Sequence, residues 1–143
     1  MNLLNSLKLS GTALASHRTK MNVISENLAN TETTRTADGG PYRRKMVVFQ
    51  EKNMSFQETL DNEHDKMTGV EVSEIVKSQE DFRLVYNPSH PDADPKTGYV
   101  KMPNVNPLTE VADMMVARRS FDASVTAISN TKSMIMKALE IGK

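Results

Sequence analysis

The chain has 143 residues, a formal net charge of zero, no tryptophan and no cysteine. The missing cysteine excludes disulfides, thiol catalysis and thiolate metal sites, and the balanced charge argues against nucleic acid as the main partner, because phosphate binding leans on a basic excess. Hydrophobic residues make up 38% of the sequence, which suits one modest domain and speaks against a large buried pocket.

The first element is a helix expected over Leu3 to Asn30. Leu7, Leu14, Met21 and Leu28 recur at heptad spacing, with Leu3, Ser10, His17 and Ile24 at the complementary seam position. No proline interrupts it, and only Gly11 weakens it. No apolar run approaches the ~18 residues of a membrane-spanning helix, and the N-terminus lacks the basic start and solid apolar core of a cleavable signal. The expectation is a protein that is not inserted in a membrane.

The texture then changes. Thr31 to Gly40 is a polar, turn-forming linker. All the prolines lie from Pro41 to Pro107, and every aromatic residue except Phe121 lies between Tyr42 and Tyr99, so this stretch has an apolar nucleus of its own. Lys45–Gln50, Val70–Val76, Phe82–Tyr86 and Gly98–Met102 read as short strands rich in β-branched and aromatic residues, although their pairing order is not readable. Asn53 to Met67 is acidic and polar, a loop or a fraying helix.

The last element is the strongest. Asn106 can cap a helix, Pro107 suits its first position, and Gly142 stands where a C-terminal glycine would end it. Between them Met114, Ala117, Phe121, Ser124, Ile128, Thr131, Ile135 and Ala138 alternate at steps of three and four, with Val111, Val125 and Leu139 widening the stripe. At 1.5 Å per residue such a helix runs about 50 Å, longer than a domain of this size can cover. It needs a partner along its length, and the two seams can meet each other or other copies of the chain. The expected fold is α+β: residues 1–36 form the N-terminal helix and its linker, 37–105 a small β-containing insert, and 106–143 the C-terminal helix.

Candidate chemistry is sparse. Ser89-His90-Pro91-Asp92-Ala93-Asp94 places an imidazole and two carboxylates together, which could hold a hard cation, but its prolines make a stiff turn the expected purpose. His17 has no acidic or hydroxyl partner one turn ahead and reads as an interface or surface histidine; His64 lies in a solvated acidic stretch. No nucleophilic triad order, metalloprotease motif, phosphate loop or calcium loop occurs, so neither an enzyme nor a cofactor is expected. Arg35 with Arg43-Arg44-Lys45 forms a basic cluster, read as a solvated or subunit-facing patch. Arg118-Arg119 can pair with acidic residues of a neighbouring chain or face water. On these grounds the chain is a self-assembling structural subunit or a helical adaptor that docks one partner helix.

Two stretches resemble a known family. Asn27, Leu28, Ala29, Asn30 and Thr31, closing the first helix, are similar to the signature of the flagellar rod, hook and hook-associated axial proteins. Ser89, His90, Pro91, Asp92 and Asp94, then Gly98-Tyr99-Val100 and Pro103-Asn104-Val105-Asn106, resemble its proximal-rod branch, as do Pro41 to Lys45 and Ala117 to Ser120. Phe121, Asp122, Ser124 and Glu32 depart from that pattern while keeping size and helix register. The resemblance implies a subunit without an active site, exported unfolded and without a cleavable signal through the flagellar type III apparatus into the periplasm-spanning basal-body rod. It implies polymerisation with copies of itself, with sister axial proteins and with the rod-base adaptor, in a tube that carries torque toward the hook. In it the terminal helices pack innermost and the insert faces outward. The assembly positions it implies are Leu7, Leu14, Met21, Ile24 and Leu28 on the first helix. On the last helix they are Met114, Ala117, Phe121, Val125, Ile128, Ile135 and Leu139.

Overall fold

The computed structural model describes residues 3–52 and 69–141. The acidic stretch from Asn53 and the stop signal at Gly142 lie outside the described residues. Helix α1 spans Leu3–Ala29, strands β1 Lys45–Glu51 and β2 Val70–Lys77 follow, then β3 Arg83–Tyr86 and β4 Tyr99–Met102, and helix α2 spans Pro107–Ile141. This is an α+β chain with two long helices around a middle of antiparallel strands.

The cap of α2 forms as its sequence requires: Asn106 Oδ1 accepts the Leu108 N–H at 3.0 Å, and the first helical bond runs from the Glu110 N–H to the Asn106 carbonyl. The end of α1 meets the start of α2, so the helices pair antiparallel, and among the described residues it is α1 and not α2 whose backbone lies close to the strands. The seam positions are the less exposed ones. Leu7, Leu14, Met21 and Leu28 are half-buried, as are Met114, Phe121, Ser124, Ile128 and Ile135, while Ile24, Ala117 and Thr131 are buried. The widening positions Val111, Val125 and Leu139 stay exposed, as do the outermost seam positions Leu3 and Ala138.

The middle forms two separate hairpins, β1 with β2 and β3 with β4. A bulge between Val48 and Phe49 leaves Ser73 unpaired and twists the first hairpin. That hairpin lies on α1, on a second face that hydrophobic spacing does not reveal because polar residues carry it. Ser16 donates to the Val70 carbonyl at 3.1 Å and Thr12 Oγ1 accepts the Val70 N–H at 3.3 Å, while Phe49 meets His17 edge-on at 6.3 Å. The apolar nucleus expected of the insert is small: Tyr42, Val100, Pro103 and Val105 are buried, whereas the strands are largely exposed.

Candidate functional site

The point where α1, the insert and α2 meet is a buried polar node. Asn27, 1% exposed, is its centre. Its Nδ2 donates to Glu110 Oε2 at 3.0 Å and to the Lys45 carbonyl at 2.9 Å; its Oδ1 accepts the Tyr42 hydroxyl and the Lys45 N–H, both at 2.9 Å. The carboxamide thus pairs with the outer edge of β1 as one residue of an extra strand would. Glu110 is wholly buried, a costly place for a carboxylate unless it is paired, and Arg44 Nε supplies the partner at 2.5 Å. Arg44 reaches on to Asp113 at 3.2 Å, and its backbone N–H donates to Asn104 Oδ1 at 2.8 Å. Burial, with the Glu26 and Glu110 carboxylates adding to it, pushes the Tyr42 hydroxyl up to about 12.

The rest of the motif that closes α1 finishes the helix. Asn30 Nδ2 donates to the Glu26 carbonyl at 2.9 Å, Thr31 Oγ1 to the Leu28 carbonyl at 3.0 Å, and Thr33 Oγ1 to Asn30 Oδ1. These bonds satisfy carbonyls that the last turn leaves open. Leu28 is half-buried and Ala29 exposed. An Asn-Leu-Ala-Asn-Thr run is therefore one joint residue followed by two capping residues.

The stretch from Ser89 to Asp94 is a turn stitched by its own groups. The Asp92 N–H donates to His90 Nδ1 at 3.1 Å, the Ala93 N–H to the His90 carbonyl, and the Ser89 N–H to Asn87 Oδ1. Asp92 then ties the turn to the linker after α1, accepting Thr34 Oγ1 at 2.8 Å and Arg35 at 2.9 Å. Pro91 is exposed, and Asp94 accepts the Lys96 N–H. Among the described residues no group of acids and histidines could hold a metal ion. Gly98 sits at φ 72, and a Cβ there would come within 2.8 Å of the Tyr86 ring, which stacks edge-on with Tyr99.

The basic cluster, expected to be a solvated or subunit-facing patch, is engaged within the chain, with the Arg35 side chain remaining 80% exposed and the other three residues half-buried. Arg44 is held by Glu110, Lys45 by Glu26 and Arg35 by Asp92, while Arg43 lies 4.3 Å over the Phe82 ring and donates to the Ser78 and Glu80 carbonyls. Sequence reasoning named these cations and missed Glu110. The available signal was an acid four residues into an apolar helix start, on the seam side one turn before Met114 and two before Ala117. Arg118 and Arg119 are exposed and make no ion pair among the described residues.

Beyond its seam, α2 presents large apolar side chains on its other sides: Met115 is 60% exposed, Val116 58%, Met134 52% and Met136 53%. Among the described residues no helix is long and apolar enough to cross a membrane.

Comparison with known proteins gives the chain a family. The family model for the C-terminal part of the flagellar basal body rod FlgEFG proteins matches residues 96–141. The flagellar basal-body rod protein FlgC of Bacillus subtilis is 46% identical over the whole of both chains. Its counterpart in Salmonella typhimurium is 41% identical, again over the whole of both, and that of Borreliella burgdorferi 40%, over 99% of this chain and 98% of the relative. With relatives this similar along its full length, the chain belongs to the family of the flagellar basal-body rod protein FlgC.

Proposed function

We propose that the chain is a structural, non-enzymatic subunit of the bacterial flagellar basal-body rod, built into a tube that passes torque from the motor toward the hook. Full-length similarity to rod proteins carries this reading. The surface supports it. Large apolar side chains exposed on several sides of α2, Met115, Val116, Met134 and Met136 among them, are surface that neighbours would cover.

In this reading residues 1–36 and 106–143 form the inner helical layer and 37–105 the outward insert. Copies of the chain, sister axial proteins and the rod-base adaptor cover the helices, and the flagellar type III apparatus delivers the subunit without signal cleavage. The half-buried seam from Leu7 to Leu28 and from Met114 to Ile135 serves first within the subunit. Val125 and Leu139, 43% and 65% exposed, are then the assembly positions turned outward. Deleting the gene and restoring it on a plasmid, with electron microscopy of isolated basal bodies, tests the proposal: rods absent on deletion and present on restoration support it, and rods that persist on deletion refute it.

A further inference from the structure

The outer edges of the four strands are not treated alike. In an antiparallel pair, alternate residues turn their N–H and C=O away from the partner strand. On β1 the first such residue, Lys45, is engaged by Asn27. On β2 the tip residue Val70 is engaged by Thr12 and Ser16. On β4 the Tyr99 carbonyl accepts the Asp94 N–H.

By the same alternation Val47 and Phe49 turn outward on β1 and Lys101 on β4, but Val47 is half-buried, Phe49 lies against the His17 ring, and Lys101 blunts its edge with a charge. Two edges combine open peptide groups with exposed apolar side chains. The pairing of Asn87 with Gly98 sets the phase of the second hairpin, so Leu84 and Tyr86 turn their peptide groups outward on β3. The pairing of Ser78 with Arg44 does the same for the first hairpin, so Ile75 and Lys77 turn theirs outward on β2 beyond the bulge. None of these four has a backbone partner across its outer edge among the described residues. Their side chains are exposed as well, Leu84 by 59%, Tyr86 by 65% and Ile75 by 48%. An exposed apolar edge is a template for another strand unless something blunts it.

The two bare edges differ in charge. Strand β2 carries Glu71 and Glu74, its Lys77 being paired with Asp38; β3 carries Arg83, with Lys101 beside it on β4. Edges that are alike in exposure and opposite in charge suit each other, and within one chain they belong to separate sheets. We propose that the free edge of β2 in one subunit pairs with the free edge of β3 in a second copy of the chain, joining inserts through a continuous sheet. This rests on the chain being a polymer subunit and names a contact that does not involve its helices.

Proline at an outward position removes only an N–H that the hairpin does not use. Leu84→Pro and Ile75→Pro are therefore expected to leave the purified chain folded by circular dichroism and to cut the yield of rod-bearing basal bodies at least about tenfold, the effect of losing a contact of roughly 1.4 kcal/mol. Glu74→Lys and Arg83→Glu are expected to lower it singly and to restore it when combined in one chain. Because the chain has no cysteine, an Ile75→Cys, Leu84→Cys variant oxidised in isolated basal bodies should give a ladder of its own multiples. Normal rods in both proline variants overturn the proposal, as do charge reversals that fail to rescue each other, or a cross-link to a protein of another mass. A deletion strain that keeps its rods would instead refute the subunit reading itself.

Discussion

Asn27 Nδ2 and Glu110 Oε2 lie 3.0 Å apart across 83 positions of sequence, and this bond joins the last turn of one helix to the first turn of the other. Removing the carboxylate leaves Arg44 with Asp113 alone and one N–H of the buried Asn27 amide without an acceptor. Glu110→Ala is expected to cost about 3 kcal/mol, in the range for breaking a buried pair from one side. Asn27→Asp should cost a comparable amount by setting two carboxylates against each other. Thermal and urea unfolding of the purified chain measure both; a change within experimental error in either would show that the node does not hold the joint.

Tyr42 gives that joint an alkaline limit. The unfolded phenol ionises from about pH 10, its ordinary value, and the folded one only near 12, because burial disfavours its charged form. The stability this shift contributes is whole below pH 10 and is lost as pH rises toward 12. Tyr42→Phe should lower stability at neutral pH by about 1 kcal/mol, the worth of one hydrogen bond, and flatten the fall above pH 10. Urea titrations of both chains between neutral and alkaline pH separate the two effects.

Gly98 is held at φ 72, where a side chain is strained whatever room it finds. Gly98→Ala should cost about 1 to 2 kcal/mol and shift the near-ultraviolet signal of Tyr86 and Tyr99, since the new Cβ meets the Tyr86 ring. An unchanged spectrum with unchanged stability would count against the close approach.

The Ser89 to Asp94 turn predicts an asymmetry between its two titratable side chains. His90→Ala removes an acceptor for one backbone N–H, whereas Asp92→Ala releases both Thr34 and Arg35 from the turn. The Asp92 variant should melt lower than the His90 variant, and a chelator should change neither. Melting curves with and without chelator decide it; a chelator-sensitive wild type would reveal a metal role.

Ile128→Asp and Ile135→Asp are expected to stop rod growth, but they strike the seam inside the subunit as well as any neighbour. Val116→Glu and Met134→Glu isolate the outer surface. Both side chains are more than half exposed, so monomer stability should stay within about 0.5 kcal/mol, while rods and swimming are lost. Rods of normal length in both variants would leave the outer flanks of α2 without a role.

The helices were legible because caps and heptad spacing are local signals that burial then obeys, as Asn106, Ala117 and Ile24 illustrate. The strands were legible as segments and not as a topology, since pairing is fixed by contacts as distant as Arg44 with Ser78. The joint was half legible. Asn27 stood out only through its family motif, and nothing periodic marks a polar residue whose partners are a carbonyl, a tyrosine and a carboxylate far along the chain. The second face of α1 escaped for the same reason: Thr12, Ser16 and Asn27 are read by an apolar pattern as solvent positions, yet they hold the edges of a hairpin.

The wide spacing of the node's members also governs when the subunit can take shape. Asn27 and Tyr42 emerge early from any process that feeds the chain N-terminus first, but Glu110 follows only after the whole insert. Until then the amide of Asn27 has no carboxylate to meet and the first helix has no long partner, so local structure alone must hold, and a lone helix of this length is marginal in water. A chain delivered by the flagellar type III apparatus, as proposed above, would gain from that delay. The contact that locks the subunit is the one that cannot form until nearly all of a chain fed N-terminus first has emerged.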